Sequence, residues 1–156
     1  MNTGVLYYKI FERKVLATDY IEWAFYMLHN GKSTPSLNVL VSLSKPLNTF
    51  EVEEYFNRAI TELNIAIPSS EESARHYVRY LLRETIDDPS KAIDNAYDIY
   101  KIVREHFLDE EQDIWYEISE MIDDLLYGDN IKDITRTSLT KCIVLESEHQ
   151  LKNEVL

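Results

Sequence analysis

Glycine is scarce in this 156-residue chain: Gly4, Gly31 and Gly128 are the only three, and they lie far apart. A loop that cradles phosphate with successive backbone N–H groups needs clustered glycines, so that class of nucleotide site is excluded. Prolines number four, and a chain so poor in turn formers favours helices over turn-rich β structure. A single cysteine, Cys142, rules out an intramolecular disulfide and any thiolate metal cluster. No stretch approaches the roughly 18 consecutive apolar residues of a spanning helix. The opening MNTGVLYYKIFERKVL also lacks the long apolar run and small-residue cleavage site of a signal peptide. These absences predict a cytoplasmic protein that does not enter a membrane.

Basic residues are missing from one long segment. Between Glu105 and Ile131 there is no Lys or Arg, while ten acids occur there. The formal charge of the whole chain is −12, and outside this segment 18 acids face 16 bases. Nearly all the imbalance is therefore local. A net negative charge of this size disfavours nucleic acid and anionic membrane surfaces, both of which want basic partners.

The heart of the segment, DEEQDIWYEISEMIDDLLYGD, has helical periodicity. At 100° per residue, Asp113, Glu117, Glu120 and Asp124 fall within about 60° of one another. Ile114, Ile118, Met121, Ile122 and Leu125 gather opposite, flanked by Trp115 and Leu126. Asp109 is the expected N-cap, with Gln112 reaching back, and Gly128 the expected stop. Successive acids on the ridge rise roughly 4.5–6 Å along the axis, and like charges at that spacing repel. A solvated outer face is the ordinary use of such a run. The functional alternative is a surface that docks a basic protein.

What is present is otherwise ordinary for a globular chain: hydrophobic residues make up 45% and charged residues 28%, so disorder is not the default. Tyrosine is abundant, at eleven, which suits the rims of helix packing and contact surfaces alike. Residues 4–16 carry mixed strand and helix signals. Thr18 or Asp19 is the expected cap of a helix ending at Gly31, with Ile21, Ala24, Phe25 and Leu28 as its apolar stripe and Trp23 off it. Thr34–Pro35 opens a short helix. Asn48 with Glu51 opens another, whose face is Val52, Tyr55, Phe56, Ala59, Ile60 and Leu63. Ser69 with Glu72 repeats the reciprocal cap. Asp88–Pro89 starts a helix striped by Ala92, Ile93, Ala96, Ile99, Tyr100, Val103 and Phe107. A last helix begins near Ser138, and the tail frays from about residue 150. The expectation is all-α: one domain over residues 1–156, about seven helices in an irregular antiparallel stack or bundle.

Within Asn30–Ile65, the elements G-x-S-x-P-S-L, F-E-V-E-E-Y and E-L-N-I resemble a pattern of small, functionally uncharacterised bacterial all-helical proteins. The resemblance covers roughly a quarter of the chain. It implies a helical fold and a bacterial source, and it carries over no catalytic or binding residue.

Catalytic and metal patterns are weak. His29, His76, His106 and His149 fall on four different predicted helices, and Glu146–His149 has Glu-x-x-His spacing without the second pair a di-metal bundle needs. No metal and no cofactor is therefore expected. Aligning Gly128 as an EF-hand glycine puts Leu125 and Tyr127 where oxygen ligands belong. Cys142 and His149 are roughly 10 Å apart along a helix, beyond nucleophile–base reach, so Cys142 is expected in the core. Arg75, Arg79 and Arg83 recur at steps of four, a line able to hold a phosphate or carboxylate. Pairing with Glu71, Glu72 and the acidic helix is the preferred, structural use of that line.

The leading expectation is thus a non-enzymatic acidic protein whose ridge, Asp113, Glu117, Glu120 and Asp124, docks a basic protein, as an immunity or antitoxin-type inhibitor would. Two rivals are an enzyme with a site assembled from scattered helix residues, and a self-associating scaffold whose exposed Tyr and Trp form a dimer face.

Overall fold

The computed structural model describes residues 1–106, 109–129 and 133–152, apart from the side chains of residues 109–111. Among the described residues the chain is all-helical: α1 (Thr3–Phe11), α2 (Ala17–His29), α3 (Pro35–Ser42), α4 (Thr49–Glu62), α5 (Ser70–Asp87), a 3-10 turn (Pro89–Lys91), α6 (Ala92–Glu105), α7 (Asp109–Tyr127) and α8 (Arg136–Lys152). No described residue is in a strand. The chain gathers into two compact units, Met1–Ser73 and Ala74–Leu156.

In the first unit the ambiguous N-terminal segment is a helix. Asn2 caps α1 by accepting from the Val5 N–H at 2.9 Å, and Val5, Leu6, Tyr7 and Tyr8 are buried. Burial of these side chains outweighs their β propensity. Arg13 ends the helix in the left-handed region at φ 54°, where its N–H and that of Lys14 bond back to Ile10 and Lys9.

The cap of α2 differs from expectation. Its N-cap is Leu16, and Asp19 sits at the third helical position, where its carboxylate accepts from the Leu16 N–H and from Lys9, each at 2.7 Å. The stripe is also rotated: Tyr20, Trp23, Ala24 and Met27 are buried, while Phe25 is 56% exposed. Trp23 belongs to the core because its indole N–H donates to the Thr3 hydroxyl at 3.0 Å and its ring meets Phe56 edge-on at 4.9 Å. Gly31 stops α2 as expected, at φ +74°, with bonds from Gly31 and Lys32 to Leu28 and Met27.

Thr34 caps α3 through Leu37, and Asn48 caps α4 through Phe50 and Glu51. Phe56 lies at the centre of this unit, with ring centroids 4.9 Å from Tyr20 and 5.9 Å from Tyr7. Truncating so enclosed a ring would cost about 3–5 kcal/mol. Glu62, at the end of α4, accepts from the Ser36 hydroxyl at 2.6 Å and its N–H at 3.1 Å, so it anchors the start of α3. The Ser36 and Thr34 hydroxyls hold the Glu62 carboxyl below the usual glutamate range.

At the end of the first unit, Ser69 and Glu72 form the expected reciprocal cap of α5, with bonds of 2.7 and 3.1 Å, and most of that helix belongs to the second unit. Asp88 caps the 3-10 turn through Ser90, whose hydroxyl lowers the Asp88 pKa. The apolar stripe of α6 buries Ala92, Ile93, Ala96, Ile99 and Val103 as expected, with Ile102 buried as well and Tyr100 only half-buried; Phe107 lies outside the described residues. Buried Asn95 interrupts that stripe, and its amide donates to Thr85 at 3.1 Å and Glu84 at 3.2 Å, tying α6 to α5. Thr135 and Ser138 open α8 with reciprocal 3.1 Å bonds, so the helix starts at Arg136, slightly ahead of Ser138. Its buried stripe is Leu139, Ile143, Ser147 and Gln150. Cys142 is therefore not a core residue: one position before Ile143, it points off the stripe and is exposed.

Candidate functional site

Helix α7 packs against α6 and α8 through Trp115, Ile118, Ser119 and Ile122, all buried. Trp115 is fully enclosed, and its N–H donates to Gln150 on α8 at 3.3 Å. That stripe fixes the helix about its axis. Positions 113, 117, 120 and 124 are turned to the opposite side. Asp113, Glu117 and Glu120 are exposed and Asp124 is half-buried. Ile114, Met121 and Leu125 are half-buried beside the stripe, and Leu126 is 45% exposed.

The cause of Asp124's partial cover is local. The chain turns back at Gly128, whose N–H bonds to the Asp123 and Asp124 carbonyls at 3.1 and 3.2 Å. A Cβ there would lie 2.6 Å from the Asp124 carboxylate oxygen. Gly128 thus ends α7 where expected, through close approach of the chain. The cap expected at Asp109 depends on side chains outside the described residues.

Among the described residues, none of Asp113, Glu117, Glu120 and Asp124 forms an ion pair. The mutual repulsion of the ridge is therefore not cancelled by lysine or arginine contacts there. Elsewhere the chain does satisfy charges: Lys9 pairs with Asp19 at 2.7 Å, Lys91 with Glu84 at 2.8 Å, and Arg58 with Glu54.

On the Ile122 side of α7 lies a groove of about 350 Å³ between the N-terminal half of α6 and the C-terminal end of α7. Its floor is Ile93 and Ile122, 5% and 1% exposed. Asp94, Tyr97 and Asp98 line it from α6, and Leu126 and Tyr127 from α7. Sequence reasoning missed Asp94, Tyr97 and Asp98 because it read α6 only for its apolar stripe. Their spacing of three and four residues, off that stripe, was the available signal.

Arg75, Arg79 and Arg83 stand on successive turns of α5. The first two are half-buried and Arg83 is exposed. None of them lines the groove. A second, shallower hollow of about 480 Å³ runs along α4 and is lined by Glu54, Asn57, Arg58, Thr61 and Glu62. Its charges are committed, Glu54 to Arg58 and Glu62 to Ser36. Both tryptophans are fully buried, which removes them from any self-association face. His149 sits 3.9 Å from Glu146 within α8. Among the described residues no three His, Cys, Asp or Glu side chains are grouped as metal ligands. No helix among them is long and apolar enough to cross a membrane.

Comparison with known proteins finds no matching family model, no matching curated protein and no matching solved structure.

Proposed function

We propose that this chain is a non-enzymatic binding protein that docks a basic protein partner on the acidic face of α7. One observation carries the proposal: Asp113, Glu117, Glu120 and Asp124 form a ridge without ion pairs among the described residues. A basic partner would supply the missing counter-charge and relieve the repulsion between neighbouring turns. The summed field of such a face speeds encounter with a cationic surface and rejects acidic ones. An inhibitor of a basic enzyme, of the immunity or antitoxin kind, would use this electrostatic design. The exposed thiol of Cys142 fits a reducing cytoplasm.

The test is differential capture. The intact chain and its D113N/E117Q/E120Q/D124N variant are immobilised and exposed to extract of the source cell at near-physiological salt. A basic protein retained by the wild-type chain and lost by the variant is the expected result. Recovery of the same proteins by both contradicts the proposal.

A further inference from the structure

We infer that the groove between α6 and α7 is an anchor site for an arginine side chain of a basic protein segment. The inference rests on the docking function proposed above and names the group that seats the partner.

Shape is the first support. The groove is open to solvent but floored by the buried Ile93 and Ile122. The methylene stem of an arginine would cover that floor while its charged head stays near the rim. Charge is the second. Asp94 and Asp98 project one turn apart on α6, both exposed and both without an ion pair among the described residues. Lys101, three residues past Asp98, pairs with neither. The groove also sits at the C-terminal end of α7, where the helix dipole adds partial negative charge. Asp94, in the first turn of α6, offsets the opposite pole of that helix.

Aromatic surface is the third support. Tyr97 is 48% and Tyr127 85% exposed, and both line the groove. A guanidinium stacks on such rings, and the chain already uses this pairing twice: Arg58 lies 5.4 Å from the Tyr55 ring centre and Arg104 5.5 Å from that of Tyr100. Arginine suits the site better than lysine because its planar fork stacks on tyrosine and bonds carboxylates side-on. The lysine ammonium is compact and strongly hydrated. A protein segment suits it better than a lone small cation, because the apolar floor of Ile93 and Ile122 matches a side-chain stem and the chain's net charge of −12 attracts further basic residues of the same partner.

The experiment compares acetylated hexaarginine and hexalysine amides, of equal charge, binding to the full chain by calorimetry at fixed ionic strength. Hexaarginine is expected to bind roughly five- to tenfold tighter. D94N/D98N and, separately, Tyr97→Ala should erase that preference. E117Q/E120Q should weaken both peptides alike and keep the ratio. In amide spectra of the wild-type chain, hexaarginine should shift residues 94–98 and 126–128. Equal affinities for the two peptides, or shifts confined to residues 113–124, overturn the arginine groove and leave the acidic docking face standing. No binding of either peptide overturns both.

Discussion

Replacing Glu117 and Glu120 by glutamine should stabilise the second unit. The ridge contains three neighbouring like-charge pairs: Asp113 with Glu117, Glu117 with Glu120, and Glu120 with Asp124. Each costs about 0.2–0.5 kcal/mol on a solvated helix. The double substitution removes all three, a gain of about 0.6–1.5 kcal/mol before solvent screening, and exposure places the result toward the lower end. Glutamine and glutamate have nearly equal helix propensity, so backbone preference contributes little. Asp113→Asn should gain almost nothing. It removes a single repulsion and also a carboxylate near the favourable N-terminal end of α7. Urea unfolding is the assay, in a Trp23→Phe background. Trp115, fully buried on α7 itself, is then the sole tryptophan reporter. With a slope of about 1–3 kcal/mol per molar urea, the gain appears as a midpoint shift of a few tenths of a molar. It should fade in 1 M salt, where the screening length of about 3 Å falls below the spacing of the acids. A lower midpoint, or a gain unchanged by salt, would refute the electrostatic account of the ridge.

Three further outcomes follow from the packing. Cys142 should react with a thiol reagent in native buffer as fast as a free thiol, since it is exposed; labelling only after unfolding would contradict its position on α8. Asn95→Ala should cost about 1–3 kcal/mol in chemical denaturation by stranding its buried partners, and a neutral effect would show that the Thr85 and Glu84 bonds contribute nothing. Glu62 has a lowered folded-state pKa. Its contribution is therefore present above the unfolded value and lost as pH falls through the folded one. Glu62→Gln should accordingly melt earlier than wild type at neutral pH, with the gap closing on acidification. A gap that widens in acid would reverse that assignment.

The all-helical fold was legible because its signals are local. Ser69 with Glu72, Thr34 before Pro35, Asn48 before Phe50 and Gly31 each act within a few residues, and each stands where its spacing put it. Rotation about a helix axis was harder. Helix α2 is apolar or aromatic over much of its circumference, so Ile21/Phe25/Leu28 and Tyr20/Trp23/Met27 both read as stripes. The Trp23 contacts with Phe56 and Thr3, made with other helices, decide between them. Cys142 failed for the same reason, lying one residue off the buried stripe of α8. That Asp113, Glu117 and Glu120 share an exposed helical face was legible from spacing alone, whereas the partial cover of Asp124 by the turn at Gly128 was not. Nor was the groove. It exists because the start of α6 meets the end of α7, and neither helix alone encodes that meeting.

The central claim is that the ridge steers a basic partner. Its most direct test is the association rate of the captured partner with the wild-type chain and with E117Q/E120Q, measured by stopped flow from low to near-physiological salt. Steering predicts fast, steeply salt-dependent association for the wild type, and a slower rate with a flatter dependence for the variant. Equal rates and equal salt slopes would contradict it, leaving the ridge an ordinary solvated helix face.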